Sequence, residues 1–158
     1  MSIGVMACFG GIRNSGLAMI AYLNRRYRFS ASHRLHSPEM SEEENRATYG
    51  KCNNPHGHGH NYTLEVSVSG PVHQSTGMVC NLADLDGLVE REVLERYHLQ
   101  NLNMLQEFAQ IVPTTENLCV EIFEILQRGF PHAHLERVKL EETMMNSFEY
   151  TGPAASRR

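Results

Sequence analysis

The clearest periodicity in the chain lies at residues 62–69, where Tyr62, Leu64, Val66 and Val68 alternate with Thr63, Glu65, Ser67 and Ser69. Period two over this length predicts a half-buried strand, closed by Gly70-Pro71. An earlier stretch alternates almost as well. Phe29, Ala31, His33 and Leu35 share one face of a strand expected from about Tyr22 to His36, which Ser37-Pro38 ends. Residues 38–57 form a long connection, and Ser41-Glu42-Glu43-Glu44 has the look of a capping box that starts a short helix. Ser75-Thr76-Gly77 turns the chain into Met78-Val79-Cys80.

The period then changes. Asn81 caps a helix in which Leu85, Leu88, Val89, Val93 and Tyr97 mark an inward stripe, interrupted by Glu92 and ending near Tyr97. Residues 98–112 read as an irregular connection. Pro113-Thr114-Thr115-Glu116 starts a second helix with threonine as cap, and Leu118, Cys119, Ile122, Phe123, Ile125 and Leu126 give it a wide apolar face. Gly129 and Pro131 stop it. A third strand is expected at Leu135–Glu142, with Val138 and Leu140 inward and Arg137, Lys139 and Glu141 outward. Thr143–Met145 turns into a fourth strand, Asn146–Tyr150, and Gly152 onward reads as a frayed tail. The order strand, strand, helix, helix, strand, strand predicts an α+β fold: a four-stranded antiparallel sheet with two helices on one face. The sheet's other face is then left bare, and a homo-oligomer is the simplest cover for it.

Composition narrows the function. The chain has 158 residues and a formal charge of −4, which suits one domain and offers no basic footprint for nucleic acid. Cys8, Cys52, Cys80 and Cys119 include no pair at the two-residue spacing of a knuckle or redox motif, and a reducing cytoplasm is the default. The apolar stretch Gly16–Leu23 is far shorter than the ~20 residues of a membrane span. Residues 1–24 are expected to be a disordered extension, or an upstream misreading with Met19 as the natural start. Residues 25–152 make the folded domain, and 153–158 a tail.

The candidate chemistry gathers in Cys52-Asn53-Asn54-Pro55-His56-Gly57-His58-Gly59-His60. Alternate positions of an extended chain point the same way, so His56, His58 and His60 could all face one pocket. Imidazole is the commonest ligand for zinc, and a catalytic zinc site takes three protein ligands with one position open. His33, on the core face of its strand, is the candidate third ligand beside two histidines of the tract. By alternation Glu142 also faces inward, where a carboxylate needs a partner.

Taken together, Phe29-Ser30-Ala31-Ser32-His33-Arg34-Leu35, Gly50-Lys51-Cys52-Asn53-Asn54-Pro55, Gly57-His58-Gly59-His60-Asn61-Tyr62, Thr76-Gly77-Met78-Val79, Asn81-Leu82-Ala83-Asp84-Leu85, Thr114-Thr115-Glu116-Asn117 and Glu142-Thr143 resemble the 6-pyruvoyl-tetrahydropterin synthase family. The resemblance covers about residues 25 to 152. It implies the tunnelling fold, whose subunits assemble into barrels, and typically a hexamer of two trimers with active sites between subunits. It implies conversion of 7,8-dihydroneopterin triphosphate to 6-pyruvoyl-tetrahydropterin, with triphosphate eliminated and no external redox cofactor. By the same resemblance His33, His58 and His60 are the zinc ligands. Cys52 is the catalytic thiol, its thiolate favoured by the ion's field and by Lys51. Glu142 anchors the pterin ring, Thr114 and Thr115 contact it, and His56 lines the pocket or supports a ligand from outside.

A related enzyme, 6-carboxytetrahydropterin synthase of queuosine biosynthesis, has its first downstream histidine at the spacing of His56. A carboxy-forming synthase, a pterin side-chain lyase and a pterin- or metal-binding protein with impaired catalysis therefore remain as alternatives. The chain also departs from the family at Tyr97-His98-Leu99-Gln100-Asn101-Leu102. Aligned without gaps on Asn101-Leu102, the family's Asp-His proton relay falls on His98 and Leu99. A one-residue shift restores the histidine at His98 but leaves Tyr97 where the carboxylate was. The expectation is that His98 still reaches the site and gives slow or altered turnover.

Overall fold

A computed structural model describes residues 19–153. Cys8, most of the expected N-terminal extension and all but the first residue of the expected tail fall outside that range. The elements in chain order are β1 (Ile20–His33), α1 (Glu42–Tyr49), a 3-10 turn at Gly50–Asn53, β2 (His58–Pro71) and α2 (Leu82–Val89). A π-helical turn at Glu90–Leu94 then leads into α3 (Glu95–Tyr97). β3 (Gln100–Asn101), two 3-10 turns, α4 (Thr115–Gly129), β4 (His134–Glu141) and β5 (Ser147–Tyr150) complete the chain. No helix among the described residues is long and apolar enough to cross a membrane.

The sheet is five-stranded and mixed, in the order β3-β1-β2-β4-β5, so the expectation of four antiparallel strands is corrected. β1, β2, β4 and β5 pair antiparallel. The addition is β3, which lies parallel to β1 with Gln100 beside Ala31 and Asn101 beside Ser32. Two residues carry no periodicity, which is why the segment read as irregular.

β1 and β2 pair over fourteen residues each, from Ile20 opposite Pro71 to His33 opposite His58. β1 therefore begins earlier than expected, and residues 20–24, assigned to the extension, belong to the sheet. It also ends sooner, at His33, because the Leu35 N–H turns away to the Cys52 carbonyl at 2.8 Å. β2 starts at His58 rather than Tyr62. Its first four residues are histidine, glycine, histidine and asparagine, with no apolar alternation to announce a strand.

The helices follow the sequence more closely. Ser41 and Glu44 form a reciprocal capping box at α1. Asn45, buried in α1, holds the preceding loop by donating to the carbonyls of Ser37, Met40 and Ser41. Asn81 caps α2 by accepting from the Ala83 N–H, and Thr114 caps α4 by accepting from the Asn117 N–H. The expected single helix to Tyr97 contains the π turn. Apolar steps of four, Val89 to Val93 to Tyr97, drift about 40° each against a 3.6-residue turn. The wider π turn takes up that drift, and all three side chains are buried.

The helices cover one face of the sheet, where Phe29, Tyr62, Leu64, Val66, Val138 and Leu140 pack with Leu85, Val89, Leu118, Ile122 and Phe123. The opposite face is charged. Glu65 binds Arg26 at 2.7 Å and Arg137 at 2.9 Å, Arg137 also binds Glu149, and Lys139 faces Glu141. The uncovered face thus carries ion pairs, and burial of apolar surface does not itself require a second copy there.

Candidate metal centre and pterin pocket

The site forms at the open end of the β1–β2 ladder. His33 ends β1 and pairs directly with His58, the first residue of β2. His60 follows two residues on, on the same face. The register thus brings three imidazoles together, and their ligand atoms all lie within 4.8 Å of one another. His33 Nε2 and His58 Nε2 are 3.3 Å apart. Two nitrogens of a tetrahedral zinc site, each about 2.0–2.1 Å from the ion, stand about 3.3 Å apart.

Hydrogen bonding sets the tautomer of His33. Its Nδ1 is 2.7 Å from the Pro113 carbonyl, which can only accept, so Nδ1 carries the proton and Nε2 presents a lone pair to the cluster. His33 is almost fully buried. Burial holds its pKa below the usual value against the opposing pull of the Pro113 carbonyl, and the neighbouring His58 and His60 push the same way as burial. Burial likewise lowers the His60 pKa, with Glu142 opposing. His60 Nε2 is buried without a hydrogen-bond partner. A buried ring nitrogen left unpaired beside two others is what a metal ligand looks like before the ion is counted. The donor set therefore fits a divalent ion.

His56 stands apart. It is exposed and lies in a turn closed by the Gly57 N–H to the Asn54 carbonyl at 2.8 Å. Gly57 has φ +70°, and a Cβ there would stand 2.9 Å from the His33 carbonyl oxygen. That left-handed residue breaks the alternation, so the expectation that all three tract histidines share a pocket is corrected: two of them join His33.

Glu142 lies just past the end of β4, its Oε1 3.5 Å from His60 Nε2 and 3.7 Å from His33 Nε2. Thr115 Oγ1 donates to Oε1 at 2.5 Å and Asn146 Nδ2 donates to Oε2 at 2.8 Å. Burial pushes the carboxyl pKa up, but the Thr115 and Asn146 bonds and the nearby imidazoles outweigh it and leave the group below its usual value. The inward carboxylate read from the sequence is thus present, with its partners. Thr115 is buried beneath it, whereas the Thr114 hydroxyl serves the helix cap.

Cys52 is a free, partly exposed thiol in the 3-10 turn after α1. Burial and then the Glu142 charge raise its pKa. The shift runs opposite to the easing expected from Lys51, so ionisation of this thiol needs positive charge from elsewhere. His98 is exposed, and its Nδ1 accepts from the Ser30 N–H at 3.1 Å. That contact ties it to β1 and assigns the proton to Nε2. The next residue, Leu99, is exposed at φ +60° and donates its N–H to the Ser30 carbonyl at 2.6 Å.

Three contributors were not read from the sequence. The Pro113 carbonyl and the Asn146 amide act through contacts that no spacing announces. Tyr62 was read as core, and it is buried, yet its hydroxyl has no hydrogen-bond partner and its ring centroid is 5.6 Å from that of His60. Its place two residues after His60, on the same face, was the available signal.

Residues 22–153 match the family model described as 6-pyruvoyl tetrahydropterin synthase. The chain belongs to this family. It is 47% identical over 133 residues to the human 6-pyruvoyl tetrahydrobiopterin synthase, spanning 84% of this chain and 92% of that one. It is 45% identical over 136 residues to the Drosophila melanogaster protein of the same name, spanning 85% and 81%. The solved Caenorhabditis elegans 6-pyruvoyl tetrahydropterin synthase superposes with a TM-score of 0.83 at 40% identity, covering 86% of this chain and 98% of that one. The span matched to the synthase family takes in every element from β1, short of its first two residues, to β5, and all the residues around the histidine cluster.

Proposed function

We propose that the chain converts 7,8-dihydroneopterin triphosphate to 6-pyruvoyl-tetrahydropterin, eliminating triphosphate. The observation that carries this is the convergence of three imidazoles on one point beside an ionised, hydrogen-bonded carboxylate, in a chain 47% identical to a synthase of that name.

His33, His58 and His60 would hold a zinc ion, which supplies a Lewis acid that makes the C–H bonds of the substrate side chain easier to deprotonate. Glu142 binds the pterin ring. Its two oxygens meet the N–H and amino group on one ring edge, and Thr115 and Asn146 hold the carboxylate in place while lone pairs remain for the ligand. Thr114 and Thr115 contact the ring. Cys52 takes the proton from the side-chain carbon. Its raised pKa means that it works as a base only when the local charge is made positive. His98, held by Ser30 with Nε2–H outward, exchanges protons with solvent or a neighbouring copy. The active assembly is a hexamer of two trimers that closes the sheet into a barrel, placed in the cytoplasm, where Cys52 stays reduced.

The test is incubation of zinc-loaded protein with dihydroneopterin triphosphate. The expected result is one triphosphate released per 6-pyruvoyl-tetrahydropterin formed. A 6-carboxy product, or a pterin cut from its side chain, overturns the assignment. Unchanged turnover in His98→Ala overturns the role of that residue.

A further inference from the structure

Two clefts meet at the metal end of the sheet and share one wall, Gly59-His60-Asn61. The first, of about 370 Å³, is completed by Thr63, Glu141, Glu142, Thr143 and Met144. The second, of about 320 Å³, is completed by Ser30, Ala31, Ser32, Leu99 and Gln100. Their linings differ in charge. Two carboxylates line the first and none lines the second.

That difference sorts the two ends of a pterin triphosphate. The ring presents hydrogen-bond donors and suits the Glu142 side. A triphosphate placed there would face Glu141 and Glu142, and like charges at such range repel strongly. The second cleft offers donors instead. Ser30 Oγ donates to Asn61 Oδ1 at 2.7 Å, which orients the Asn61 amide and leaves both hydrogens on Nδ2 free. Gln100 stands at the other wall.

A cation is also at hand. On the sheet face away from the helices, Arg26, Arg137 and Lys139 each face a carboxylate. Arg28 is on that face too, two residues before Ser30 of the second cleft and directly opposite Thr63 of the first, so it stands at the border of the two. It is exposed, and among the described residues it makes no ion pair. A free guanidinium with planar, paired donors suits phosphate oxygens. We propose that the cleft between β3 and the ends of β1 and β2 seats the triphosphate, with Asn61 as an amide donor and Arg28 as its cation. The inference rests on the pterin triphosphate reading above and adds where the leaving group is held.

The test uses two fluorescent ligands that do not react, fully oxidised neopterin and neopterin triphosphate, titrated against zinc-loaded parent, Arg28→Ala and Asn61→Asp proteins. The parent should bind the triphosphate at least about tenfold more tightly than neopterin, as one charge-assisted contact allows. Arg28→Ala should remove most of that ratio while neopterin affinity holds, and Asn61→Asp, on the wall shared by both clefts, should reverse it. A ratio unchanged in both variants overturns the cleft assignment and leaves the pterin reading intact. A parent that binds neither ligand overturns both.

Discussion

Thr115→Val replaces the hydroxyl that donates to Glu142 with a methyl group of nearly the same size. The bond it removes is short, 2.5 Å, and its acceptor is a carboxylate with only 15% of its side chain exposed. A hydrogen bond to a charged group contributes about 1.5–3 kcal/mol, and Asn146 still serves the other oxygen. The expected loss is therefore about 2 kcal/mol at pH 7. Its pH dependence identifies the cause. The Glu142 pKa is lowered in the folded chain, so its stabilisation is present above the unfolded value of 4.5 and is lost as pH falls through the folded one. Once Glu142 is protonated, parent and variant differ only by a neutral hydrogen bond, about 1 kcal/mol. Urea unfolding of metal-free parent and variant, repeated in steps from pH 7 down through the folded titration of Glu142, reads the difference directly. A loss that stays the same at every pH refutes charge assistance, and no loss at pH 7 refutes the bond.

Gly57→Ala forces a left-handed residue and a Cβ against the His33 carbonyl, so stability should fall by at least about 2 kcal/mol, with weaker zinc binding in chelator competition. His58→Ala and His60→Ala should each lower bound zinc below one per chain by elemental analysis, whereas His56→Ala should keep it at one. Cys52 in metal-free protein should react with iodoacetamide at pH 7.5 more slowly than a free cysteine. Glu142→Gln should speed that reaction several-fold, because burial and the Glu142 charge both raise the thiol pKa.

The parts of the fold that bury an apolar stripe were legible in the sequence. The cores of β1, β2, β4 and α4 alternate or repeat over enough residues for the period to show. Where polar chemistry replaces the stripe, the signal fails. β2 extends four residues before Tyr62 through a histidine-glycine tract, and two of the three clustered imidazoles lie there. β3 escapes notice because a two-residue strand is held by its neighbour's backbone rather than by its own pattern. The histidine cluster itself was readable, since the spacing and the strand face of each histidine follow from period two. The exclusion of His56 was not, because it depends on the sign of φ at one glycine. The Thr115 hydroxyl under Glu142 and the tautomer of His33 come from contacts across 27 and 80 residues, and no local window spans those distances.

All three imidazoles belong to the first two strands. A chain emerging from the ribosome only as far as Pro71 already carries the whole set, and the β1–β2 ladder that aligns it is antiparallel and closed by the connection that holds α1. The Pro113 carbonyl and the Glu142 carboxylate are still unsynthesised at that moment. Ion capture therefore becomes available to the nascent hairpin before ligand recognition does, and a truncated translation product ending after β2 would retain a grip on metal while being blind to pterin.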